Sequence, residues 1–151
     1  MATTIDEIAD LFLSGVQDYK ITTIFTTSGS DAVNTYVEPW LLKSIGDFTG
    51  CDQDLTYSTV TQSFSVDLTQ KNKNMLSHMM EKYWLKKEIQ NVLQMNLFIQ
   101  DKDFKTHSAA QNLKEKIELL KIVEETISQK LVDYSLNYTI DWDDWENQTF
   151  R

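Results

Sequence analysis

The sequence predicts a mainly α fold, a helical hairpin or bundle with extended arms. Two long stretches, 72–93 and 108–136, place apolar residues at helical spacing. The one clear period-two run, Phe64, Val66 and Leu68, has no evident strand partner, and a lone hairpin is marginal in water. The 151 residues fit a single domain, 1–139, followed by an acidic aromatic tail, 140–151.

At the start, Thr4 and Glu7 have the spacing of a capping box. Ile5, Ile8, Leu11 and Phe12 then give an amphipathic helix over 4–19, loosened near Gly15. The β-branched run Ile21 to Thr27, closed by Ser28-Gly29-Ser30, favours a strand or extended segment, or an irregular continuation of the first helix. Residues 20–35 are therefore a candidate arm. Asp31 can cap a short helix containing Val33, Tyr36 and Val37. Pro39 disfavours helical backbone at Glu38 and suits the first turn of a new helix, Trp40 to Ile45, stopped by Gly46. Residues 49–54 read as loop. Residues 55–68 read as a strand or an arm that adds to a neighbour's sheet.

Thr69 caps the long middle helix. Asp101 to His107 is a charged connector, and a second long helix begins at Ser108. Leu113, Ile117, Leu120, Ile127, Leu131 and Tyr134 form a seam interrupted by Glu124. An antiparallel pair follows, with Trp84 and Leu85 packed against Leu113, Ile117 and Leu120. In the tail, Tyr138, Ile140, Trp142, Trp145 and Phe150 are large apolar anchors set among four acids. Such anchors can fold onto the protein's own body or dock into a partner; Trp and Tyr dominate interface hot spots, so these five residues are candidate partner-docking groups.

The net charge is −9, and it is uneven. Residues 1–70 hold ten acids and two lysines, residues 71–139 nine acids and eleven lysines, and the tail four acids and Arg151. With Arg151 the lone arginine, sequence-specific DNA binding is disfavoured. No run is long and apolar enough to span a membrane, and no secretory signal is evident at the N-terminus. Cys51 is the single cysteine, which excludes an internal disulfide and fits a reducing cytosol. Its acidic neighbours Asp47, Asp52 and Asp54 are expected to raise the thiol pKa. There is no phosphate loop and no metal motif around His78 or His107. Neither an enzyme, a metal nor a cofactor is expected.

Two stretches carry a resemblance. One is Val37-Glu-Pro-Trp-Leu-Leu-Lys-Ser-Ile-Gly-Asp-Phe-Thr-Gly-Cys51; the other joins Glu81-Lys-Tyr-Trp-Leu-Lys-Lys-Glu-Ile89 to Asp101-Lys-Asp-Phe-Lys-Thr-His-Ser-Ala-Ala-Gln-Asn-Leu-Lys114. Together they resemble head–tail connector (adaptor) proteins of tailed bacteriophages. The family pattern is a helix ending in a Gly-Asp-Phe-x-x-Cys-like turn, a helix with a Trp-Leu pair, and a Lys-Asp-Phe-Lys connector before the last helix. The tail, Asp141-Trp-Asp-Asp-Trp145, resembles the family's acidic aromatic terminus. The resemblance spans roughly residues 36–145 and has no counterpart for 20–35. It implies a virion neck protein, assembled in the host cytoplasm, that forms a ring of twelve copies on the portal protein and meets the next neck or tail-completion protein. DNA would pass through such a ring without sequence-specific binding, past an acidic lining that does not attract phosphate. The alternatives are a small acidic binding or inhibitory protein of the DNA-mimic type, or another neck or tail-completion component.

Overall fold

The computed structural model describes residues 2–99 and 107–139, with the side chains of 95–99, 107–109 and 137–139 left aside. It is mainly α. The elements are α1 (Ile5–Gly15), α2 (Tyr19–Ser28), α3 (Ser30–Asp47), β1 (Tyr57–Ser58), β2 (Ser63–Phe64), α4 (Gln70–Ile99) and α5 (His107–Thr139).

The first helix starts where the capping residues place it. Glu7 accepts the Thr4 backbone N–H at 3.3 Å, and Ile5, Ile8, Ala9 and Phe12 turn one face into the core. The run from Ile21 to Thr27 is helix α2, not a strand or an arm. Asp18 caps it by accepting the Lys20 N–H at 2.8 Å. Its threonines overcome their β preference by hydrogen-bonding back along the helix: Thr22, Thr23 and Thr27 donate to carbonyls four residues earlier. Gly29, at φ 81°, supplies the left-handed residue that separates α2 from α3.

Pro39 does not open a new helix; it lies inside a continuous α3. The proline is exposed and leaves the Thr35 carbonyl without its helical donor. Val37 and Leu41, both fully buried on either side of it, hold the two halves to the core. Gly46 is likewise within the helix, which ends where the Phe48 N–H bonds the Ser44 carbonyl.

Residues 55–68 are not a free arm. β1 and β2 pair antiparallel, with Tyr57 opposite Phe64, and the chain's own N-terminus adds to them. The Phe64 N–H donates to the Thr3 carbonyl, Ile5 N–H to Gln62, and Thr3 N–H to Val66. The missing strand partner was Thr3 to Ile5, some sixty residues away.

The core lies between α1, α3 and α4, with α5 closing one side. Phe12 and Trp40 meet as tilted rings 5.7 Å apart, over a floor of Leu76, Met79 and Met80. Helices α4 and α5 form the expected antiparallel pair. Leu113, Lys116, Leu120, Val123, Ile127, Lys130 and Tyr134 are among the less exposed positions of α5, in alternating steps of three and four. Of the expected seam, Leu85 is buried and Leu113 and Leu120 are half-buried. Ile117 is displaced: it is 48% exposed on the flank, and Lys116 takes its place, paired with Glu88 at 3.3 Å. Trp84 is also displaced, because its Nε1 donates to Asp18 before α2, 2.9 Å away. The interruption at Glu124 is an ion pair to Lys86 of α4 at 2.7 Å.

Candidate docking surfaces

The turn after α3 is a joint. Phe48 sets its ring edge-on to Tyr134 of α5 at 5.2 Å. Asp47 accepts from Lys82 and from the Tyr83 hydroxyl, both on α4. These two donors hold the Asp47 carboxyl below its ordinary range, while burial and the same carboxylate push the Tyr83 hydroxyl up to about 12. Further on, Asp52 accepts from the Tyr134 hydroxyl and, at 2.7 Å, from Asn72 Nδ2. The Asp52 backbone N–H donates to the same Tyr134 oxygen at 3.0 Å. Asn72 also donates to Gln53, and its Oδ1 is buried with no hydrogen-bond partner among the described residues. Cys51 lies beside this knot. Its thiol pKa is raised as expected, but burial is the leading cause; Asp52 adds a smaller part.

Among the described residues, three surfaces around this frame stand out. The first is an apolar groove of about 700 Å³ between the end of α1 and the α2–α3 hairpin, with Leu13, Val16, Ile21, Phe25 and Val33 along it. At its rim Tyr19 is 88% exposed and Phe25 59% exposed. The second is the outer face of α5, where Ile122, Val132 and Leu136 stand in solvent opposite the α4 seam. The third is a smaller pocket of about 230 Å³ between the start of α4 and the end of α5, flanked by Lys71 and Lys130.

The sequence alone did not single out the groove, because Phe25 fell in a run read as extended and Tyr19 was read as the end of the first helix. The tail anchors Ile140, Trp142, Trp145 and Phe150 lie outside the described residues. Tyr138 lies in the last turn of α5, and its side chain is not described. The Asp101–His107 connector also falls outside, except for His107 as the first residue of α5.

Among the described residues no group of three or more His, Cys, Asp or Glu is placed to hold a metal ion. His78 has Glu81 at 3.9 Å, and burial, with Lys130 nearby, lowers its pKa. No described helix is long and apolar enough to cross a membrane. Comparisons with known protein families, curated proteins and solved structures gave no match.

Proposed function

We propose that this chain is a structural connector of a tailed-phage neck. It docks on the portal protein, associates with copies of itself into a ring of twelve, and meets the next neck or tail-completion protein. DNA passes through the ring without sequence-specific contacts, and the protein acts in the virion by binding, not by catalysis.

The observation that carries this reading is the joint after α3. Asp47, Phe48 and Cys51 belong to the turn on which the resemblance rests, and each contacts a neighbouring helix or the Tyr134 knot. The quoted stretch thus forms a packed joint between helices, which supports the reading. The uncovered surfaces add support. An apolar groove beside Asp18 and an apolar outer face on α5 are interface material, since fully desolvated aromatic and aliphatic groups supply most binding energy. A DNA-mimic inhibitor needs carboxylates free to imitate phosphates. Here Glu7, Asp47, Glu88 and Glu124 are each paired with a lysine, which weighs against that alternative.

Co-sedimentation with the portal ring of the same virus tests the proposal. Saturable pelleting with the portal is expected, weakened by Phe25→Asp in the groove. Failure to pellet, together with inhibition of a DNA-binding enzyme by the purified chain, overturns it in favour of the acidic mimic.

A further inference from the structure

We infer that the apolar groove between the end of α1 and the α2–α3 hairpin receives a basic amphipathic helix of a partner protein. The inference rests on the connector reading for the partner's identity, and it names what the groove recognises.

Shape points to a helix. Of the ten residues of α2 only Ile21 is buried. Tyr19, Thr22 and Phe25 recur every three residues, so they run as one stripe along the groove, and Tyr19 and Phe25 stand 88% and 59% exposed. Across from them are Leu13 of α1 and Val33 of α3. The walls are helices and the link between α1 and α2, with no strand edge to extend. A segment that enters therefore brings its own backbone hydrogen bonds, and a helix with an apolar stripe does so.

Charge sets the sign of that helix. Asp18 is the one carboxylate in the lining, and no lysine lines the groove. It accepts from two neutral donors, the Lys20 backbone N–H at 2.8 Å and Trp84 Nε1 at 2.9 Å. Among the described residues no cation pairs with it, whereas Glu7, Asp47, Glu88 and Glu124 each hold a lysine. The Lys20 side chain lies over the Tyr36 ring instead, 5.3 Å from its centroid. Asp10 adds an exposed carboxylate one turn before Leu13, and residues 1–35 hold five acids against Lys20 alone. A half-buried carboxylate fixed by neutral N–H groups is a ready partner for a lysine or arginine. The same sign disfavours this chain as the occupant. Residues 140–151 hold four acids and one arginine, and the exposed apolar face of α5 has Glu118, Glu125 and Asp133 along it against Lys121.

The test uses full-length protein and two labelled helical peptides in fluorescence anisotropy. Both carry leucines at i, i+3, i+4 and i+7 in an alanine background; one has lysines on its edges, the other glutamates in their place. The lysine peptide is expected to bind saturably, one to one, and at least about tenfold tighter than the glutamate peptide. Phe25→Ser removes an exposed ring without touching the core and is expected to weaken binding roughly tenfold. Asp18→Asn removes the charge yet leaves an oxygen for the helix cap and for Trp84, so the fold is kept. It is expected to weaken binding about three- to tenfold and to flatten its salt dependence. Unchanged melting temperatures check both variants. Equal binding of the two peptides, binding that neither variant alters, or no saturable binding overturns the inference. Self-association abolished by Phe25→Ser, with no peptide bound, assigns the groove to a second copy and overturns it too. A chain that binds the lysine peptide in the groove but does not pellet with the portal sinks the connector reading alone; pelleting without peptide binding sinks the groove assignment alone.

Discussion

Tyr134 ties three parts of the chain through one side chain. Its hydroxyl meets Asp52 in the loop after α3, its ring edge meets Phe48, and its face carries Lys71 of α4. Tyr134→Phe keeps the ring and removes the hydroxyl, leaving the Asp52 N–H and carboxylate short of a partner. The expected cost is about 1–3 kcal/mol in urea unfolding; a change within about half a kcal/mol would show that the knot is not structural. Asp47 gives a pH signature. Lys82 and then Tyr83 lower its folded pKa below the ordinary value near 3.8. Its contribution is complete above that value and is lost as pH falls through the lower folded pKa. Asp47→Asn should therefore flatten the acid limb of stability below pH 3.8, and an unaltered limb would contradict the pairing. Local capping was legible in the sequence, because Thr4 with Glu7 and Thr69 before α4 act within three residues. The Asp52–Asn72–Tyr134 knot was not, because it joins residues 20 and 82 positions apart. The raised Cys51 pKa was anticipated from neighbouring acids, yet burial leads it, and burial is not visible in a local charge count.

At the scale of elements, period and propensity gave opposite readings of the same residues. The two long helices were readable because their apolar spacing persists over many turns. α2 was hidden by its threonines, whose hydroxyls satisfy helix carbonyls instead of competing with them. The N-terminal partner of the β1–β2 hairpin was hidden by distance along the chain. Pro39 misled in a different way, since tertiary burial of Val37 and Leu41 outweighs its local cost. Because Pro39 is exposed, Pro39→Ala restores a helix donor and is expected to stabilise the protein by up to about 3 kcal/mol. A lower melting temperature in that variant would show that the proline ring is needed where it stands. The α4–α5 pairing can be probed from both sides of its seam. Leu85→Ala empties a buried site and should cost about 2–5 kcal/mol. Ile117→Ala, on the half-exposed flank, should change stability by no more than about half a kcal/mol. The reverse order in chemical denaturation would mean that α5 is rotated about its axis.

For the whole molecule, the buried core of the described residues runs from Ile5 of α1 to Tyr134 of α5. Residues 1–70, with net charge −8, give this half of the chain one dominant sign. The most direct test of the connector reading is negative-stain imaging of the portal ring mixed with wild-type protein or with a chain lacking residues 140–151. Wild type should add an extra ring of density on the portal, with the portal's rotational symmetry. The shortened chain should keep its helical signal and melting temperature but leave the portal bare. A bare portal with wild type, at concentrations where the chain is folded, would contradict the central claim.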